Sequence, residues 1–239
     1  MNCFWGRLLW VLFFLLRGTN ADAQRCSPVL LRSEHLETPV GIDAANPRFS
    51  WQVADDRPGA KQTAFEIVVD EDAAAVRQGR GRVWKSGKIL SEATLALFGG
   101  TQLRPRTRYY WAVTLWDKKG VRSGSDVSWF ETGKMNEPWE AKWISDGEDT
   151  LVHPAPYFRK ELQLNKTVAS ARAYIVAAGL FECYLNGKKI GNTLLNPMFT
   201  RFDKRNLYLS FDVTKELRKG NNAIGVILGN GWYNHQSWS

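Results

Sequence analysis

Along Thr63–Val69, Phe65, Ile67 and Val69 fall on one face of an extended chain while Glu66 falls on the other. The same period of two returns in Tyr109–Trp116, where Tyr109, Trp111, Val113 and Leu115 share a face. Alternation of this kind marks half-buried strands. Asp117-Lys118-Lys119-Gly120 then turns the chain, and Val127–Thr132 has the length and pattern of a returning partner strand. Arg48–Val53, Val83–Ile89 and Thr94–Phe98 are further strand-length runs bounded by Pro or Gly. One stretch, Glu71–Gln78, reads as helix, of two turns at most. Six or seven strands between Pro28 and Gly133 suit an immunoglobulin-like sandwich, with Trp111 as its buried aromatic.

Past Gly133 the pattern changes. Residues 134–154 hold Pro138 and a polar run, Ser145 to Thr150, around one apolar patch, Trp139-Glu140-Ala141-Lys142-Trp143-Ile144. The pattern predicts a linker that ends in the first strand of a second domain, itself covering 155–239. Tyr157–Leu164, Ala171–Ala178, Leu180–Leu185, Asn206–Asp212 and Ala223–Leu228 continue it as strands. Asn186-Gly187, between Leu185 and Lys188, predicts a type I′ hairpin, whose two central residues both need positive φ. Asp212-Val213-Thr214-Lys215-Glu216-Leu217 can cap and form one helical turn before Gly220. This is a second all-β sandwich. A jelly roll needs about eight strands, and only six or seven precede Ser239. The second domain therefore reads as truncated, the front of a longer protein.

Residues 1–23 stand outside both patterns. Arg7 precedes the uninterrupted apolar run Leu8–Leu16, and Ala21-Asp22-Ala23 forms an A-x-A site that places cleavage between Ala23 and Gln24. That run is about half the length needed to span a bilayer, so the segment reads as a removable signal peptide, with no membrane association after its removal. Export to the periplasm or the extracellular space is the expected fate. Removal takes two of 32 basic and one of 24 acidic residues, so the net charge moves from +8 to +7. It also removes Cys3 and leaves Cys26 and Cys183, whose separation gives no reason to pair them. With 44% hydrophobic and 23% charged residues the chain is an ordinary packed one.

Few motifs carry chemistry. No Gly-x-Ser-x-Gly elbow, phosphate loop, dinucleotide fingerprint or His-Glu-x-x-His is present. His35, His153 and His235 lie far apart in loop-like sequence, which describes surface residues better than metal ligands. Arg77, Arg80, Arg82, Lys85 and Lys88, with Gly79 and Gly81, form a basic cluster. A solvated loop and edge strand explain it, and with export expected no nucleic-acid partner is assigned. Asn165-Lys166-Thr167 matches a glycosylation sequon. The best candidate site is Asn230, Trp232 and Tyr233, followed by Asn234, His235 and Trp238, within nine residues of a Gly-framed loop. Ring faces beside amides suit sugar recognition. The competing reading packs the same rings against a neighbouring domain.

Several ordered stretches resemble the N-terminal region of bacterial α-L-rhamnosidases of glycoside hydrolase family 78. They run from Pro39-Val40-Gly41-Ile42-Asp43 and Asn46-Pro47-Arg48-Phe49-Ser50-Trp51 through Tyr109-Tyr110-Trp111-Ala112-Val113 and Glu131-Thr132-Gly133. Trp139–Ile144, Tyr184-Leu185-Asn186-Gly187-Lys188, Phe202-Asp203-Lys204-Arg205, Asp212-Val213-Thr214 and Gly229-Asn230-Gly231-Trp232-Tyr233 complete them. The resemblance implies a fibronectin-type-III-like domain over 24–133, then a galactose-binding-like jelly roll. It further implies a separate (α/α)₆ barrel, in the same polypeptide, carrying the carboxylates that hydrolyse terminal α-L-rhamnosides. No catalytic residue is assigned within this chain. Calcium occurs in some jelly rolls of this kind, and no ordered Asp/Asn set assigns a site for it or for any other cofactor. Rhamnose-containing glycans are the implied ligands. The alternative is a free-standing exported carbohydrate-binding or adhesion module.

Overall fold

A computed structural model describes residues 26–147 and 155–233; the expected signal segment and its cleavage site, His153, and the 234–239 end of the candidate loop lie outside them. The first half is built from β1 (Ser27–Ser33), β2 (Val40–Ile42), β3 (Arg48–Ala54), β4 (Gln62–Asp70), α1 (Ala73–Arg77), β5 (Trp84–Lys85), β6 (Ile89–Leu90), β7 (Leu95–Leu97), β8 (Arg108–Asp117), β9 (Arg122–Gly124) and β10 (Ser128–Thr132). One sheet runs β1-β3-β7, and the facing one β2-β10-β8-β4-β5, with β6 also on β4 and β9 on β8.

Alternation along β8 buries Tyr109, Trp111, Val113 and Leu115 between the sheets, as the period of two requires. Phe49, from β3, meets Trp111 at 4.5 Å between ring centroids. In β4 the alternation breaks, because Ala64 and Val68 are buried as well as Phe65, Ile67 and Val69. The short helix α1, which buries Ala75 and Val76, packs on β4 and β8. Asp72 caps it by accepting from the Ala74 N–H at 2.8 Å. The predicted strand Val83–Ile89 is instead two two-residue strands, broken at Gly87, whose φ is +66°. Strands β1, β2 and β9 carry too short or too irregular an alternation to be read from the sequence.

The second half contains β11 (Tyr157–Leu164), β12 (Arg172–Val176), β13 (Leu180–Leu185), β14 (Lys188–Lys189), β15 (Tyr208–Asp212) and β16 (Gly220–Gly229). A sheet of order β11-β16-β13-β14 accompanies the β12-β15 pair. Between them lies a smaller core of Ala177, Phe181, Cys183, Leu185, Ile190 and Val213. Asn186 and Gly187 take φ of +52° and +82° and close the expected hairpin between β13 and β14. Both halves are β-sandwiches, so the all-β architecture read from the sequence holds.

One element needs correction. Trp139–Ile144 forms no strand; residues 138–147 are irregular, and Trp143 and Ile144 are exposed. Trp139 instead meets Tyr208 edge-on at 5.6 Å, beneath the Lys134 ammonium. Its apolar surface covers the junction between the sandwiches, which removes the reason for it to sit in a sheet.

Candidate functional site

The Asn230–Tyr233 loop is placed by close backbone approach. Strand β16 ends beside β13, with Gly229 opposite Leu180. Gly179, at φ +100°, faces the Gly229 and Asn230 carbonyls, and a Cβ there would lie 2.8 Å from each. Gly231, at φ +52°, sits against Gly179 and Leu180 in turn. The chain thereby delivers Trp232 and Tyr233 to the surface, 67% and 62% exposed.

There they join rings from the loop between β14 and β15. Phe199 approaches Trp232 at 6.3 Å, Phe202 approaches Tyr233 at 5.4 Å, and Phe199 and Phe202 meet at 5.6 Å, all edge to face. Leu194, Leu195 and Met198, from that same loop, are also exposed. Sequence reading found the second half of this surface and missed the first, because Leu194 to Phe202 carries no periodicity to mark it. One N–H of the Asn196 amide donates to the Leu194 carbonyl at 2.7 Å.

A second constellation lies in a cleft of about 740 Å³ between the sandwiches, lined by Arg108, Glu131, Arg172, Asp212 and Thr214 among others. Buried Glu131, from β10, accepts from Arg172 at 2.5 and 2.8 Å and from Arg108 at 3.0 Å. Arg172 also reaches Asp212 at 2.9 Å, and the Arg108 guanidinium stacks on Trp129 at 3.9 Å. Burial pushes the Asp212 carboxyl up, but the Thr214 hydrogen bonds and the two guanidinium groups outweigh it and hold it below the usual carboxylate range. Both carboxylates are thus engaged as acceptors.

Nearer the surface of the same junction, the Tyr208 hydroxyl donates to the Asp43 carboxylate at 2.7 Å and accepts from the Lys134 N–H at 2.8 Å. Burial, then the Asp43 hydrogen bond, pushes that hydroxyl up. Met135 N–H closes the ring by donating to Asp43 at 2.7 Å. Gly133 is required here, since a Cβ would stand 2.6 Å from an Asp43 carboxylate oxygen. Asp43, Glu131, Gly133, Asp212 and Thr214 all belong to the stretches that carried the resemblance, and the structure gives their shared purpose as the junction.

Of the remaining candidates, His35 is exposed at a turn with φ +65°. Arg82 is paired with Asp70 at 2.8 Å, Lys85 lies 3.7 Å from Glu66, and Lys88 covers the Trp116 ring, so three of the five basic residues have local partners. Among the described residues no group of three or more His, Cys, Asp or Glu could hold a metal ion, and no helix is long and apolar enough to cross a membrane.

Comparison with known proteins follows the same two-part division. Residues 28–136 match the family described as Rha78A-like, N-terminal immunoglobulin domain, and residues 166–239 match the α-L-rhamnosidase N-terminal domain. The chain belongs to the N-terminal region of the α-L-rhamnosidase family. An α-L-rhamnosidase of Formosa agariphila is 35% identical over 236 residues, covering 88% of this chain and 25% of the relative. One from an Alteromonas species is 33% identical, over 98% of this chain and 27% of the relative. The solved α-L-rhamnosidase of Dictyoglumus thermophilum matches at 40% identity and a TM-score of 0.81, across 87% of this chain and 25% of that one. That of Aspergillus terreus matches at 26% identity and a TM-score of 0.69, over 87% and 24%. This chain spans about a quarter of the length of the α-L-rhamnosidases it matches.

Proposed function

We propose that this chain is the non-catalytic N-terminal region of an exported α-L-rhamnosidase that hydrolyses terminal α-L-rhamnosides, its two sandwiches forming a fixed-angle support for a catalytic barrel in the same polypeptide. One observation carries the reading. The likeness to the Dictyoglumus thermophilum enzyme, with a TM-score of 0.81, extends over both sandwiches, so their mutual placement is part of what is shared. The arginine-saturated cleft supports it, because its carboxylates hold two domains together and are not free for acid–base work. Export rests on the Arg7, Leu8–Leu16 and Ala21-Asp22-Ala23 sequence.

Purified residues 24–239 should show no turnover of an aryl α-L-rhamnoside. Material recovered outside the cytoplasm should begin at Gln24 by mass spectrometry. Turnover that disappears on one Asp or Glu substitution would overturn the non-catalytic assignment, and Met1 on exported protein would overturn the signal peptide. A second reading, a free-standing exported module that binds rhamnose-containing glycans or serves adhesion, is favoured by the exposed Trp232 and Tyr233 rings. Millimolar rhamnose that quenches tryptophan fluorescence in the parent, and not in Trp232→Ala, would support it over the first.

A further inference from the structure

Asn186-Gly187, at the tip of the β13–β14 hairpin, carries a reactivity that the fold holds in check. Gly187 is exposed, and a Cβ added there would meet nothing within 4 Å. Its backbone nitrogen is open to water and is hindered by no side chain of its own. An asparagine one residue before such a nitrogen is the starting point for spontaneous deamidation. The Asn186 amide is held elsewhere. Its Nδ2 donates to the Glu216 carbonyl at 2.8 Å and to Asn222 Oδ1 at 2.9 Å, and its oxygen accepts from the Ala223 N–H at 2.9 Å. These partners lie on β16 and on the Val213–Leu217 turn. The Asn186 Cγ has to give them up before it can close on the Gly187 nitrogen.

We propose that Asn186-Gly187 is a guarded self-modification site: its contacts with β16 block deamidation, opening of the second sandwich releases it, and the product hinders reclosure. Water is the one co-reactant. The Gly187 nitrogen gives its proton to water and attacks the Asn186 Cγ with its electron pair. The new N–Cγ bond closes a cyclic imide, the Cγ–Nδ2 bond breaks, and Nδ2 leaves as ammonia with a proton from water. A second water then opens the imide. Cleavage at Cγ leaves Asp, and cleavage at the backbone carbonyl leaves isoaspartate, with the chain running through Cγ. Neither product fits the closed hairpin. Asn222 is buried, its Nδ2 donates to the Arg218 and Gly220 carbonyls at 2.7 and 3.0 Å, and its Oδ1 accepts from the Arg218 N–H at 3.0 Å. Its amide cannot turn N–H groups toward residue 186 without breaking those bonds. A carboxylate there would face two acceptors, Asn222 Oδ1 and the Glu216 carbonyl, where the asparagine supplied donors. Isoaspartate also lengthens the two-residue turn that sets the Leu185–Lys188 register.

The test incubates residues 24–239 with and without denaturing urea, at one pH and temperature, and follows deamidation by peptide mass. Without urea, Asn186 should react about tenfold more slowly or less, because reaction waits on local opening. In urea it should keep pace with the chain's second Asn-Gly pair, Asn230-Gly231. After urea is removed, β13 and β16 should regain hydrogen-exchange protection in unmodified chains. Chains modified at residue 186 should regain it in about a fifth of that yield or less. Asn186→Gly cannot form the imide, and should keep its refolding yield through the same incubation while Asn230 deamidates as before. Equal Asn186 rates with and without urea would overturn the guard. Modified chains that refold as well as unmodified ones would overturn the effect on reclosure, as would an Asn186→Gly protein that loses yield at the parent's pace.

Discussion

Trp111 lies within the core of the first sandwich. It is fully buried, touches Phe49 at 4.5 Å and stands opposite Val69 in the sheet. Trp111→Ala should destabilise the first sandwich by about 3–5 kcal/mol, read from urea unfolding of residues 24–239. A loss below about 1 kcal/mol would mean the core can collapse around the gap. Asp70 offers a test of a different kind. Its carboxylate is almost wholly buried and accepts from the Arg82 side chain at 2.8 and 3.0 Å, the Arg82 N–H at 2.8 Å and the Asp72 N–H at 3.0 Å. Those bonds outweigh burial and lower its pKa. A carboxylate with a folded pKa below its unfolded value, about 3.9, contributes stability above that value and loses it as pH falls through the folded one. Asp70→Asn should therefore cost about 1–2 kcal/mol at pH 7, the figure being reduced because Arg82 is 72% exposed. Between pH 5 and pH 2 the parent should lose more stability than the variant. Parallel pH profiles would deny Asp70 this role.

Among the elements, the β13–β14 hairpin is the best specified. Asn186 supplies positive φ, donates to the Glu216 carbonyl at 2.8 Å and to Asn222 at 2.9 Å, and accepts from the Ala223 N–H at 2.9 Å. It ties the turn to β16 and to the Val213–Leu217 turn together. Asn186→Ala should cost about 2–3 kcal/mol, from left-handed backbone strain and lost hydrogen bonds. Asn186→Gly keeps the φ and should cost about 1 kcal/mol less, a difference that thermal unfolding can measure. This hairpin was legible because its turn chemistry is local. So were β8, whose alternation is unbroken, β4, whose Phe65, Ile67 and Val69 share a face, and α1, whose Asp72 cap lies beside it. Strand β2 was not: its three residues pair in parallel with β10, and nothing local announces a parallel partner. Trp139–Ile144 misled for the complementary reason, since Trp139 answers to Tyr208, far along the chain, while Trp143 and Ile144 are exposed. In the candidate site, Trp232 and Tyr233 were visible as an aromatic cluster after a strand. Their partners Phe199 and Phe202 lie in a loop whose fold depends on contacts distant in sequence.

At the scale of the whole molecule, the junction decides behaviour. Gly133 lies where the first sandwich hands the chain on, packed against Asp43, Gly41 and the Tyr208 hydroxyl. Gly133→Ala has no room for its methyl group and should pry the halves apart. Small-angle scattering should show a larger radius of gyration, and unfolding should separate into two transitions. An unchanged scattering curve would mean the Arg172–Glu131–Arg108 cluster alone fixes the angle. Independent opening of the halves can also be followed from within. Cys26 lies in the core of the first sandwich and Cys183 in that of the second, each 2% exposed and each a free thiol. Burial raises both thiols, Cys183 to about 11, and Asp55 and Asp117 add to the effect at Cys26. Alkylating reagents attack the thiolate, so at neutral pH neither cysteine can be tagged until its own sandwich opens. The molecule thus carries one latent clock in each half, and the order in which the two tagged peptides appear reports which half gives way first.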